Sequence, residues 1–263
     1  MGRRYLGEGR VNFLDRDRLS AACLSATDAT DVGGIGTLGE KLIHKTLKYY
    51  ITDDASCHER KISGSVADVI SDGRIYEIQT RALSRLVPKL TRFLSEHPVT
   101  VVYPLVTEKS IVWLSADSGE AAEPKKSSKK QIAASALYEL SAIAALLDDC
   151  DLTVELLLVK ATEYRLSDGY GSQGHKRATK LNIHLDEINE QISLRSTSDL
   201  EKLLPETLPE TFTAKELYKA MKLRDRQGYY ALKTMEKYGF LRAVEKRGRA
   251  VIYTAKNTVQ ESE

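Results

Sequence analysis

Asp68, Glu77 and Gln79 form the pattern D-x8-E-x-Q inside the stretch VADVISDGRIYEIQT, residues 66–80. Two carboxylates held together share either a proton, with one pKa raised, or a divalent cation, for which they are hard oxygen ligands. An amide beside them can orient a water or donate a hydrogen bond to a phosphate. Acids that merely face bulk water would do none of this.

The backbone between them decides whether they meet. Residues 66–70 and 75–80 are rich in β-branched side chains, and Asp72-Gly73 between them supplies the two positive-φ positions of a type I′ turn. That turn sets the register: Ser71 opposite Arg74, Ile70 opposite Ile75, Val69 opposite Tyr76 and Asp68 opposite Glu77. Gln79 follows on the face of Glu77. Opposed Cβ atoms lie roughly 4.5–5.5 Å apart, where like charges destabilise the pair, so a proton or a cation offsets the repulsion unless both acids face bulk water, where it is weak.

Upstream, Thr37 with Glu40 has the spacing of a capping box and opens a helix to about Tyr50. Ile43, Leu47 and Tyr50 fall within about 60° on its wheel, with Lys41, Lys45 and Lys48 on the far side and Glu40 beside the apolar stripe. Glu40 is therefore either a helix-start cap or a third acid aimed at the hairpin. A short helix is expected near residues 15–24 and a strand over 55–62. Residues 82–96 read as helix interrupted at Pro88. Residues 99–106 and 111–114 read as two strands, 120–130 as an exposed basic loop, 132–147 as an Ala/Leu-rich helix and 152–164 as a strand buried on both faces. Residues 168–180 read as a mobile basic loop bearing His175, Lys176 and Arg177, and 185–194 as amphipathic.

At 263 residues, 42% hydrophobic and 29% charged, the composition is that of a globular protein. No apolar run is long enough to span a bilayer and MGRRYLGEGR lacks a signal-peptide core, so a cytoplasmic location is expected, with no membrane partner. Cys23, Cys57 and Cys150 are odd in number and widely spaced, which argues against a disulfide framework or zinc knuckle. The net charge of +2 is unevenly spread, because residues 211–256 hold twelve Lys/Arg against four acids. A basic binding module on a mildly acidic body is the expectation.

Within that tail, Thr213 and Glu216 make a second capping box, a turn follows at 222–224, and a second helix begins near Arg226 and ends at Gly239. Two strands then flank the basic tip Glu245-Lys246-Arg247-Gly248-Arg249. This order over residues 196–263 resembles a winged helix-turn-helix, with residues 198–204 as its first helix; the resemblance implies a second helix in a DNA groove and a wing on the backbone. Arg224, Arg226, Gln227 and Tyr230 at the start of that helix, Lys233 along it, and Lys246, Arg247 and Arg249 on the wing are the candidate nucleic-acid contacts, joined by Lys176 and Arg177 of the basic loop. Arg226 and Gln227 are the side chains suited to base edges.

The order helix with Glu40, strand, Asp68 strand, Glu77-x-Gln79 strand, helix, strand resembles the PD-(D/E)XK nuclease superfamily over residues 36–106. The resemblance implies a restriction-endonuclease-like α/β fold, a mixed sheet flanked by helices, in residues 35–195, after an N-terminal extension of residues 1–34. It further implies Mg²⁺ or Mn²⁺ held by Asp68, Glu77 and the Ile78 carbonyl, Glu40 as an auxiliary acid, and hydrolysis of double-stranded DNA. Two positions depart from the pattern: Ala67 replaces proline, and Gln79 replaces the lysine that positions water and offsets phosphate charge. Gln79 can orient water but brings no charge, so a catalytically inactive DNA-binding regulator, its nuclease-like core serving as scaffold or homodimer interface, is the alternative. His44 and His58 read as structural or exposed, since Mg²⁺ prefers oxygen.

Overall fold

The computed structural model describes residues 11–28, 39–128, 130–167 and 179–256. The chain is mixed α/β. Helices α1 (Arg16–Asp28) and α2 (Gly39–Ile51) precede strands β1 (His58–Ile62), β2 (Ser65–Ser71) and β3 (Arg74–Ile78). Helix α3 (Val87–Leu94), strand β4 (Val99–Ser115), the short β5 (Lys125–Lys126), helix α4 (Leu137–Leu140) and strands β6 (Leu152–Ser167) and β7 (Thr179–Leu194) follow. Hydrogen bonds order these strands β1-β2-β3-β4-β6-β7, with β5 on β4, in one large mixed sheet flanked by helices.

Contacts divide the chain into two compact units: Met1–Ile78, Glu108–Lys129 and Val159–Gln191 form the first, and Gln79–Thr107, Lys130–Leu158 and Ile192–Glu263 the second. In the first, β1, β2 and β3 are an antiparallel meander. Asp72 and Gly73 both take positive φ, 51° and 73°, and the ladder runs Ser71 to Arg74, Ile70 to Ile75 and Val69 to Tyr76. Ala67, Val69 and Ile75 are fully buried beneath α2, whose Leu47 and Tyr50 are also inaccessible. Phe13 stacks on Tyr50 with ring centroids 5.3 Å apart, and Arg18 donates to the Tyr50 and Ile51 carbonyls at 2.6 and 2.7 Å. Those are the orphan acceptors of a helix C-terminus, so Arg18 ties α1 to the end of α2.

In the second unit, strand β8 (Phe212–Thr213), helices α5 (Ala214–Ala220) and α6 (Asp225–Lys237), and strands β9 (Leu241–Arg247) and β10 (Ala250–Ala255) succeed one another. The strands form an antiparallel sheet of order β8-β10-β9. The Thr213–Glu216 box closes as expected, with Thr213 N donating to Glu216 Oε2 at 2.7 Å and Glu216 N to Thr213 Oγ1 at 3.3 Å. Gly239, at φ 78°, ends α6. Residues 192–263 group with 79–107 and 130–158, because α4 packs on α6 and the buried Ser135 Oγ donates to the Met221 carbonyl at 2.9 Å.

Four expectations change. The two strands expected over 99–114 are one strand, β4, and Lys109, between the two expected stretches, pairs with the buried Glu163 at 2.6 Å. The helix expected over 132–147 is broken into a 3-10 turn (Ala133–Ala136), one α-helical turn in α4 and another 3-10 turn (Ala144–Leu146). Leu137, Leu140, Ile143 and Leu147 are all inaccessible there, so tertiary packing overrides helix propensity. Residues 198–204 form no α-helix, but a 3-10 segment, Thr197–Leu203. Lys48 does not face solvent from the far side of α2; it is 8% exposed and its ammonium meets Glu59 at 2.8 Å. Thr37, Lys176, Arg177 and the Glu40 side chain lie outside the described residues.

Candidate functional site

Asp68 and Glu77 meet where the hairpin ladder opens. After Val69 and Tyr76 the next inward N–H of β3, that of Ile78, donates to Asp68 Oδ2 at 2.8 Å. Asp68 N in turn donates to Glu77 Oε1 at 3.3 Å. Glu77 is 1% exposed and the Asp68 side chain 19%, so one acid is inside and the other at the rim. A carboxylate buried as deeply as Glu77 is held by compensating polar partners, of which the Asp68 N–H is one.

Helix α2 supplies a partner that the sequence reading set aside. His44 Nε2 lies 3.1 Å from Asp68 Oδ2, with its side chain 30% exposed. The signal for it was its spacing: His44 is one helical turn after Glu40, and positions i and i+4 share a helix face. One more turn on is Lys48, whose hydrogen bond and charge hold the Glu59 carboxyl below its ordinary range, against desolvation and the nearby Asp68 charge. Glu59 reaches that position from a left-handed backbone, φ 51°. Lys48, Glu59, His44, Asp68 and Glu77 thus form a run of polar side chains along α2, β1, β2 and β3. His58, by contrast, is structural as expected: it bonds the Thr52 carbonyl at 3.1 Å and packs edge-on to Tyr49.

Gln79 opens the first stretch of the second unit. Its N–H donates to the Val102 carbonyl at 3.0 Å, and its Nε2 to the Arg81 carbonyl at 2.5 Å. The amide is therefore engaged by backbone.

Around α6, the candidate nucleic-acid contacts divide. Arg224, Arg226, Tyr230 and Lys233 are exposed, as are Lys246, Arg247 and Arg249 on the β9–β10 tip. Gln227 does not offer its amide outward: it is half-buried, and its Oε1 accepts from Arg224 N at 3.4 Å as a helix cap. Lys233 pairs with Glu236 at 2.6 Å, which raises its pKa, and Arg247 pairs with Glu245. Gly228 is obligatory in α6, because a Cβ there would lie 2.3 Å from the Tyr218 ring of α5.

Two other places offer polar groups. Asp149, Cys150 and Asp151 bring ligand atoms within 4.8 Å of one another on an exposed turn. A cleft of about 360 Å³ beside α1 is lined by Arg16, Glu108, Lys160, Asp186 and Glu187. Both its cations already serve Glu187, which meets Arg16 at 2.6 Å and Lys160 at 2.8 Å, and Asp186 accepts from Thr162 at 2.7 Å.

These features define a mixed α/β protein with an acidic hairpin site and a basic helical module. The chain belongs to the family described as Domain of unknown function (DUF8091), whose model matches residues 41–195. That stretch contains His44, Asp68, Glu77 and Gln79 and stops before α5 and α6. An uncharacterized protein of Treponema pallidum (strain Nichols) is 30% identical over 223 residues, which cover 83% of this chain and 86% of that one. No solved structure matches.

Proposed function

We propose that this chain is a metal-dependent DNA endonuclease of the PD-(D/E)XK kind, with the C-terminal module as its DNA-binding part. One observation carries the reading: Asp68 Oδ2 stands between the Ile78 N–H and His44 Nε2 while Glu77 reaches the Asp68 backbone. In an extended strand a residue's carbonyl projects to the same side as its N–H, so the Ile78 carbonyl belongs with Asp68 as a donor. The donor set fits a hard divalent cation such as Mg²⁺ or Mn²⁺, with Asp68, Glu77 and the Ile78 carbonyl as oxygen ligands. A cation bound there would activate water and stabilise the leaving oxygen of a phosphodiester. Glu77 holds its ligand oxygen in a dry setting, His44 keeps Asp68 oriented, and Gln79, once turned from Arg81, can orient the attacking water. Glu40, one turn before His44, is the auxiliary acid.

Exposed cations at Arg224, Arg226, Lys246 and Arg249 supply phosphate contacts, and the order β8-α5-α6-β9-β10 suits a winged helix-turn-helix. Incubating supercoiled plasmid with the protein and Mg²⁺ or Mn²⁺ tests the activity. Cleavage that disappears in Asp68→Ala and Glu77→Ala is expected; cleavage unchanged in both, or none with either ion, refutes it.

A second reading is favoured by the Gln79 amide, which is committed to Arg81. A nuclease fold without chemistry, acting as a DNA-binding regulator, would show salt-dependent DNA binding that needs no metal and survives both substitutions.

A further inference from the structure

We infer that the exposed face of α6, extended by Tyr138 of α4, is a stacking platform for unpaired deoxynucleotides. The inference rests on the reading of the C-terminal module as DNA-binding and names the form of DNA it takes.

At about 100° per residue, Tyr229, Lys233, Arg226, Lys237 and Tyr230 fall in that order within one arc of roughly 100° on α6. All five are exposed, Tyr229 at 51% and Tyr230 at 44%. The opposite side, Gly228, Ala231, Leu232, Thr234 and Met235, is buried, so the buried side of the helix is made without the two rings. Tyr229 and Tyr230 meet nearly edge to face, with centroids 5.8 Å apart and planes 76° apart. Tyr138 continues the surface, its ring 6.1 Å from Tyr230. Lys233 Nζ sits over one face of the Tyr229 ring, 6.0 Å from its centroid, where it also pairs with Glu236 at 2.6 Å, so a cation accompanies the ring.

Ring faces bind ring faces. In a duplex the base faces are hidden in the stack and only their edges line the groove, where hydrogen-bonding side chains read them. Here the amide oxygen of Gln227 accepts from Arg224 N at the helix start, and tyrosines hold both edges of the exposed arc. Unpaired nucleotides expose both a face and a phosphate. Aromatic side chains take the one and interleaved cations the other, in a manner tolerant of sequence. The α4 ring widens the platform beyond what one helix offers, enough for successive bases.

The test is fluorescence anisotropy of a labelled oligothymidylate, which cannot pair with itself, against the full-length protein in EDTA. Cleavage is then neither needed nor measured, so failure of the nuclease reading leaves this outcome unaffected. The expected result is that oligothymidylate binds more tightly than a blunt duplex at equal nucleotide concentration. The double change Tyr229→Ala, Tyr230→Ala should weaken it about tenfold or more, since stacking contributes on the order of 1–3 kcal/mol per base. Tyr229→Phe with Tyr230→Phe should stay within about threefold, because the ring faces remain. Should the double Ala variant lose its circular dichroism signal, Tyr229→Ala alone, at the more exposed ring, carries the test. Preference for the duplex, equal binding by the Ala and wild-type proteins, or no binding of either nucleic acid overturns the inference. Tighter binding of oligouridylate overturns the assignment to DNA.

Discussion

Replacing Gly228 by Ala is expected to destabilise the C-terminal helices, opposite to the usual effect of that change in a helix. At an unobstructed mid-helix site, Ala is favoured over Gly by about 1 kcal/mol. Here the added Cβ would lie 2.3 Å from both Cγ and Cδ1 of Tyr218 and 2.9 Å from its Cβ. Optimal carbon–carbon contact is roughly 3.5–4.0 Å, so the overlap exceeds an ångström. Rotating the ring relieves little, because Cγ and Cβ are anchored close to the α5 backbone; α5 and α6 must separate. Overpacking of this kind costs about 1–3 kcal/mol, and an overlap this large falls at the upper end of that range, which leaves a net loss of about 1–2 kcal/mol after the propensity gain. Urea unfolding followed by circular dichroism should show a lower midpoint at unchanged slope. Hydrogen exchange should accelerate in α5 and α6 specifically. A raised midpoint would refute the account of α5–α6 packing, and with it the placement of the α6 face.

Two further outcomes follow from the first unit. Glu163 is pushed up by desolvation, but the hydrogen bonds and charges of Lys109 and Arg165 together hold its carboxyl below the ordinary range. A depressed folded-state pKa contributes stability that is complete above the unfolded value and is lost as pH falls through the folded one. Glu163→Gln should therefore flatten the acid side of the stability–pH curve and lower stability at neutral pH by a few kcal/mol, since it strands two cations; an unchanged acid limb refutes this. If the hairpin holds a cation on Asp68, Glu77 and the Ile78 carbonyl, His44→Gln should weaken Mn²⁺ and Mg²⁺ binding in titration calorimetry by similar factors, because His44 orients Asp68 and is not itself a ligand; loss of Mn²⁺ binding alone would refute that role.

The local devices were legible in sequence because each is short and chemically specified. Asp72-Gly73 dictates a turn, the turn dictates the register, and the register brings Asp68 to Glu77. Thr213 with Glu216, and Gly239, mark the ends of their helices for the same reason. What escaped depends on partners distant in the chain. Residues 107–110 read as a gap between two strands until Glu163, fifty-four positions on from Lys109, is seen beside it. Lys48 reads as solvated until Glu59 arrives from a left-handed backbone. The helix expected over 132–147 gives way because its apolar side chains must meet α6, a contact no periodicity announces. His44 lay in between: its spacing from Glu40 placed it on the right face, but nothing local distinguished it from a packing histidine.

The hydrogen bond from Ile78 N–H to Asp68 Oδ2 gives one carboxylate two occupations. It ends the β2–β3 ladder much as a capping side chain ends a helix, by accepting the N–H that regular pairing leaves over. If the proposed cation binds at Asp68, punctuation of the hairpin and affinity for that ion are written in the same oxygen. A variant without the ion would still need an acceptor there, and asparagine, which accepts without charge, is the residue that would keep the strand end.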